Sequence, residues 1–463
     1  MQRVPPTSMT AIVDTDWSAS RLYNSATSLP AEIIALIIQL AAVDNWLFTV
    51  RGASVCHTWR SAVRHYPRCW STAIAQVGHG RPIHYDYQLS KLYLRRSRQA
   101  PIQLTLDLSR ASDPQSVIFL RLYSRELARC SKFTFAGPVS HKVISYAFGD
   151  LWHPYSQVQE LSLTLNTGAE GFAPESMLAS DLSGHGGAIL LQTTFPAMRR
   201  LRLDFPVATS MPSGALVSIF HSYPNLEYLD IRLGLGMSAT VGLWLTPSFQ
   251  PVFAPTHLKE LHLEGVSVSD LATILDFKSM QLISLYIHTL GVHARRTPAT
   301  GYSNPPLPAF LCNPSSTLRS LELGGFSLSG PSFLPFMRML RGLPELTRMA
   351  LSHVRLDAQL FHTLARPMPG LLDWAVPRLE AIEFHQMMPL GLVGQRQWAW
   401  VMDVARQRNV ASKCGSPVAK VAALKCDVVG RDGRVLLDLR EMALAGPIGV
   451  KVSATGHSLT FFV

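Results

Sequence analysis

One six-residue pattern, apolar-x-x-apolar-x-apolar, recurs eight times in the middle of this chain and limits what it can fold into more than any other feature. The copies are Val158-Gln-Glu-Leu161-Ser-Leu163, Met198-Arg-Arg-Leu201-Arg-Leu203, Leu226-Glu-Tyr-Leu229-Asp-Ile231 and Leu258-Lys-Glu-Leu261-His-Leu263. They continue with Leu282-Ile-Ser-Leu285-Tyr-Ile287, Leu318-Arg-Ser-Leu321-Glu-Leu323, Leu346-Thr-Arg-Met349-Ala-Leu351 and Leu379-Glu-Ala-Ile382-Glu-Phe384. In each, the last two apolar residues are two apart, the period of a strand with one buried face, and the first packs the turn that enters it. A strand this short cannot cover its own apolar face, so the copies must stack on one another. Four are preceded by proline, in Pro196-Ala-Met198, Pro224-Asn-Leu226, Pro344-Glu-Leu346 and Pro377-Arg-Leu379. Proline cannot continue a helix, so it marks the point where the chain turns into the next strand.

This pattern resembles leucine-rich repeats, which imply a parallel, solenoid or horseshoe array. The spacing is irregular: 28 residues from Leu201 to Leu229, 24 from Leu261 to Leu285 and 40 from Leu161 to Leu201. Such repeats usually run about 20 to 29 residues, so the longer intervals should hold outer helices or loops. Helices are expected over 214–221, 269–280, 333–341 and 358–365, and long exposed loops over 170–192 and 293–308. The residues between the paired apolar positions are Ser162, Arg202, Asp230, His262, Tyr286, Glu322, Ala350 and Glu383. Their mixed chemistry reads as a binding surface that names no ligand. Beyond 396, a helix over 397–408 and strands over 420–429, 434–440 and within 449–463 would cap the last repeat.

Ahead of the array, Ser28 to Ile74 reads SLPAEIIALIIQLAAVDNWLFTVRGASVCHTWRSAVRHYPRCWSTAI. Ser28, Pro30 and Glu32 are helix-start signals. The apolar run Ile33, Ile34, Leu36, Ile37, Ile38, Leu40, Ala41 and Ala42 exceeds one stripe. Such a helix can pack on one side and leave another for a partner. Val55, Cys56, Trp59 and Val63 share one side of an expected second helix, which Pro67 stops, and Trp70 and Ile74 should close a small three-helix unit.

Leu29-Pro30-x-Glu32-Ile33, then Ile37, Leu40 and Asp44, then Val55-Cys56-x-x-Trp59-Arg60 and Pro67-x-x-Trp70, resemble the F-box. One departure is a longer junction between Leu40 and Val55, with Trp46 and Phe48 where small aliphatics are commoner. The resemblance implies docking to a Skp1-like adaptor through Leu29, Pro30, Ile33, Ile37, Leu40, Val55, Cys56 and Trp59, and through the adaptor to a cullin. The helix-then-strand passage that follows, a helix over 88–98 and a strand over 100–108, also resembles the F-box proteins of mushroom-forming fungi.

Composition narrows the remaining classes. The apolar stretch Ile33 to Val43 is too short to cross a membrane, and residues 1–27 lack the apolar core of a secretion signal. Six cysteines lie far apart, with no C-x-x-C pair, which suits a reducing, intracellular setting, cytoplasmic or nuclear. The net charge of +11 is spread out, its densest clusters being Arg95, Arg96, Arg98 and Arg199, Arg200, Arg202. Neither is interleaved with aromatics, so a nucleic-acid partner is not expected. Gly325-Phe-Ser327 and Gly456-His-Ser458 lack the second glycine of a nucleophile elbow, and there is no phosphate loop or H-E-x-x-H zinc motif.

These readings combine into an α/β chain: a disordered lead (1–27), an F-box of three helices (28–77), connecting strand and helix units (78–157), an irregular leucine-rich-repeat array (158–395) and a capping region (396–463). The function this implies is substrate recognition for a Skp1-cullin-F-box (SCF) ubiquitin ligase. A target protein would be held on the repeats, with no cofactor, metal or catalytic residue of its own. The alternative is a leucine-rich binding scaffold without a ligase partner, in which Leu36, Ile37 and Trp59 would be buried within the chain.

Overall fold

The computed structural model describes residues 29–77, 82–138, 157–166, 197–205, 219–220, 222–233, 255–265, 280–288, 316–326, 328, 330–352, 354, 358–367, 374–385, 391–426, 449–452 and 459–462. It is an α/β protein with helices at the N-terminal end and a long, mostly parallel sheet. The chain divides into two compact units, Met1–Ala75 with Arg81–Thr105, and Gln76–Gly80 with Leu106–Val463.

In the first unit, α1 (Ala31–Asp44) starts where the sequence signals place it, the Ile33 and Ile34 N–H groups donating to the Pro30 carbonyl at 3.0 and 3.1 Å. Its inner side is Ile34, Ala35, Ile38 and Ala42, all buried. The expected second helix is instead two helices, α2 (Phe48–Val55) and α3 (His57–His65). Cys56 is extended between them (φ −155°, ψ 177°), so Val55 ends one helix while Trp59 and Val63 belong to the next. The junction that looked merely long is thus α2 itself. Gly52 lets α2 lie close to α1, since a Cβ there would come within 3.2 Å of Ile38 Cδ1. Thr49 donates to the Cys69 carbonyl at 2.8 Å, and Trp70 Nε1 to the Val63 carbonyl at 2.7 Å, which ties in the 3-10 turn Pro67–Trp70. Ile74 does not pair with Trp70 in a helical cap; it lies half-buried on β1 (Thr72–Gln76), where Ala73 and Ala75 face inward.

α4 (Ile83–Ser97) begins five residues earlier than expected and supplies Tyr93, which is fully buried. Its ring lies 5.3 Å from Trp46 and 5.0 Å, edge-on, from Trp70, and its hydroxyl donates to the Trp46 carbonyl. Aromatic triads of this kind add specific ring–ring energy to simple area burial. Tyr93→Phe keeps the packing but leaves that carbonyl only the Thr49 N–H at 3.4 Å, so it is expected to cost ~1 kcal/mol in urea unfolding. An unchanged midpoint would mean that the hydroxyl contributes nothing. β2 (Ile102–Asp107) neighbours β1, the Gln103 N–H donating to the Ser71 carbonyl at 2.7 Å.

In the second unit, α5 (Asp113–Ser124) opens with a capping box between Ser112 and Gln115, which satisfies two orphan N–H groups. β3 (Cys130–Pro138) then begins a run of neighbouring parallel strands: β4 (Glu160–Asn166), β5 (Arg200–Phe205), β6 (Tyr228–Leu233), β7 (Glu260–Glu264), β8 (Ser284–His288), β9 (Ser320–Gly324), β10 (Arg348–Ser352), β11 (Ala381–His385) and β12 (Ala423–Cys426). All eight copies of the repeated pattern are strands, and they align without slippage: Leu161, Leu201, Leu229, Leu261, Leu285, Leu321, Met349 and Ile382 are successive partners. Every apolar position of every copy is at most 5% exposed. The turn before each of β5 to β11 is locked by a repeated bond, two successive N–H groups donating to one carbonyl, as Arg199 and Arg200 do to Gln159 and Lys259 and Glu260 do to Glu227.

α6 (Phe333–Arg341) and α7 (Ala358–Ala365) occupy the expected intervals, burying Phe336, Met337, Leu340, Leu360, Phe361 and Leu364. The other two expected helices and both long loops lie almost wholly outside the described residues. α8 (Gly391–Lys413) is longer than expected and carries Arg408, whose side chain is wholly buried. Its guanidinium donates to the carbonyls of Val376 (2.6 Å), Pro377 (3.2 Å) and Leu364 (3.3 Å) and lies 5.2 Å from the Trp374 ring centre. Burial pushes its pKa down to about 10, which still leaves it charged at neutral pH. β13 (Gly449–Val452) and β14 (Leu459–Phe462) form an antiparallel pair, with β14 against β12. The strand expected over 434–440 lies outside the described residues.

Candidate functional site

Two surfaces carry exposed side chains that the fold itself does not use. The first is the outer side of α1. Ile33, Leu36, Ile37, Leu40 and Val43 are spaced by three and four, so they line one helix face, and each is between 37% and 64% exposed. Pro30 is exposed at the start of the same helix, and Val55 at the end of α2 is 60% exposed. Leu29, Cys56 and Trp59 are half-buried, and the Trp59 indole N–H makes no hydrogen bond. Of the eight residues singled out in sequence, the structure therefore puts Pro30, Ile33, Ile37, Leu40 and Val55 at the surface and half-withdraws the other three. Leu36 and Val43 were not singled out. The three- and four-residue spacing from Ile33 and Leu40 is the signal that finds them.

Basic side chains surround the unit. Arg51, Arg60, Arg64 and His65 are exposed, and Arg60 Nε donates to the Ala53 carbonyl at 3.0 Å. The cluster Arg95, Arg96 and Arg98 occupies the last turn and cap of α4, where cations complement the helix dipole.

The second surface is the polar face of the parallel strands. Arg199 pairs with Glu227 at 3.6 Å, Arg200 with Glu160 at 4.0 Å and Arg202 with Asp230 at 3.5 Å, and the same carboxylates also meet Lys259, Lys132 and Arg232. Asp230 is only 1% exposed and is also held by Arg232 Nε at 3.1 Å and by the Tyr228 hydroxyl at 3.2 Å. On the other side Arg348 grips Glu383 with two nitrogens, at 2.8 and 3.0 Å, and approaches Glu322 at 3.6 Å. Between these clusters runs a strip of rings. Tyr228 lies 5.3 Å from His262, His262 5.5 Å from Tyr286, and Tyr286 stacks on His288 at 5.0 Å with planes 8° apart. His288 is closed in from beside by Gly324, where any Cβ would strike its ring, and by the Ser352 hydroxyl. Burial lowers the pKa of His262 against the opposing pull of Asp230 and Glu260, and burial raises that of Tyr286, reinforced by Glu264 and Glu322. Both rings are thus neutral at pH 7. The Ser352 hydroxyl is within hydrogen-bond reach of His288 Nε2 and is itself buried, only 3% exposed. Among the described residues no group of His, Cys, Asp and Glu is arranged to hold a metal ion, and no helix is long and apolar enough to cross a membrane.

No protein-family model matches the chain, and no curated protein matches it. Among solved structures it is similar to one described as "Crystal structure of Rad7 and Elc1 complex in yeast", with 14% identity, a TM-score of 0.37, and coverage of 80% of this chain and 90% of that one.

Proposed function

We propose that this protein is the substrate-recognition subunit of an SCF-type ubiquitin ligase. In this reading the first unit is an F-box that docks a Skp1-like adaptor, and through it a cullin, while the strands of the second unit form a leucine-rich-repeat array that holds a target protein. The observation that carries the reading is the apolar outer face of α1, which includes Ile33, Ile37 and Leu40 of the F-box-like residues. A soluble chain does not ordinarily leave five large aliphatic side chains in one row without a partner to cover them. The scaffold alternative requires Leu36, Ile37 and Trp59 to be covered by the chain itself; Leu36 and Ile37 are exposed, which argues against it, while Trp59 is half-buried.

The role requires no catalytic side chain in this subunit. Holding a target beside a charged ubiquitin-conjugating enzyme raises its effective concentration there, and that suffices to accelerate transfer. The test is a pull-down of the full chain with a recombinant Skp1-type adaptor, wild type against a Leu29→Ala, Pro30→Ala double variant. Adaptor retained by the wild type and lost by the variant is the expected result. Equal retention by both would remove these two residues from the docking surface.

A further inference from the structure

The strand face is not uniform, and one part of it has a chemistry of its own. On the polar side of β6 to β11, the carboxylates are Asp230, which is buried, Glu260, Glu264, Glu322 and Glu383, and the guanidinium groups are Arg232 and Arg348, with Arg202 of β5 also on Asp230. Asp230 and Glu383 hold Arg232 and Arg348 closely, at 3.1 and 2.8 Å. Glu264 and Glu322 reach them only at 4.0 and 3.6 Å, and Glu260 makes no ion pair with a described residue. Three carboxylates are therefore under-neutralised, on a chain whose net charge is +11. They surround Tyr286: Glu322 is its partner on β9, while Glu260 and Glu264 flank its partner His262 on β7. Aromatic faces bordered by carboxylates attract organic cations, because the ring quadrupole and the charges act in the same sense. The molecule already uses its strip this way, with the Arg200 guanidinium carbon 5.6 Å from the centre of the Tyr228 ring.

We infer that the β6–β9 part of the strand face binds an arginine- or lysine-bearing segment of the target protein, with a cationic side chain held among Glu260, Glu264 and Glu322 beside Tyr286. The inference rests on the reading of this face as the target-binding surface and specifies the chemistry of the target. An acidic segment is disfavoured there by repulsion, although the chain as a whole would attract one.

The experiment uses the full chain and two fluorescein-labelled peptides of equal length, one alternating glycine with arginine and one alternating glycine with glutamate, read by fluorescence anisotropy. The arginine peptide is expected to bind, to weaken about tenfold in Glu264→Gln and in Tyr286→Ala, and to be retained by Tyr286→Phe, which keeps the ring. Tighter binding of the glutamate peptide, or an arginine peptide indifferent to all three variants, would overturn the inference. Adaptor binding is measured on the same samples. An intact adaptor complex with no arginine-peptide binding overturns this inference alone, whereas peptide binding without an adaptor complex counts against the ligase reading and leaves this one standing.

Discussion

Arg408→Ala is expected to destabilise the second unit by ~3 kcal/mol in urea unfolding. The arginine is wholly buried and connects three segments, the end of α7 through Leu364 and the approach to β11 through Val376 and Pro377, with α8 itself. Alanine removes all three bonds and leaves a cavity beside Trp374. Two effects limit the loss. The Val376 and Pro377 carbonyls keep other donors, the N–H groups of Leu379 and Ala419. Removing a buried cation also relieves the desolvation that depresses its pKa. Arg408→Met separates the terms, since it fills the space without donating; it should cost about half as much as alanine. A loss below ~1 kcal/mol for alanine would show that the guanidinium is not what fastens α8 to the strands.

Introducing charge on α1 should have the larger effect on binding. Ile37→Asp with Leu40→Asp is expected to weaken adaptor affinity at least ~100-fold. Each aliphatic side chain covered on docking contributes ~1.5–3 kcal/mol, and each aspartate adds a desolvation cost. Leu40 is 64% exposed and Ile37 37%, so the double variant should remain folded with a modest loss of thermal stability, checked by circular dichroism. Val410→Asp supplies the control, an equally exposed aliphatic on α8 in the other unit, and should leave adaptor binding intact. A double variant that still bound the adaptor would exclude this face of α1 from the contact.

The strands were legible because they depend on local information: residues two apart that must face the same way, preceded by a turn that proline often marks. Their register was legible too, since aligning the copies puts Ser162, Arg202, Asp230, His262, Tyr286, Glu322, Ala350 and Glu383 at equivalent positions, and these are successive partners. What the pattern does not say is that Asp230 will be buried among Arg202, Arg232 and Tyr228. The break at Cys56 was missed because Val55, Cys56, Trp59 and Val63 keep helical spacing across it, and periodicity does not register one extended residue. Trp46 stood out in sequence as a departure from the F-box pattern. Its partner Tyr93 lies 47 residues away on α4, so its place in the core could not be read locally. On α1 the difficulty was of another kind. The helix is apolar nearly all round, so spacing groups Ile33, Leu36, Ile37, Leu40 and Val43 on one face, and the structure shows that this face is outward while Ile34, Ala35, Ile38 and Ala42 are buried.

The most direct measurement of the account is a calorimetric titration of the wild-type full chain with a recombinant Skp1-type adaptor. One adaptor bound per chain, with a Kd of ~1 µM or tighter and a negative heat-capacity change from the covered aliphatic face of α1, is the predicted result. No heat and no co-elution, from a chain that is folded, would contradict it.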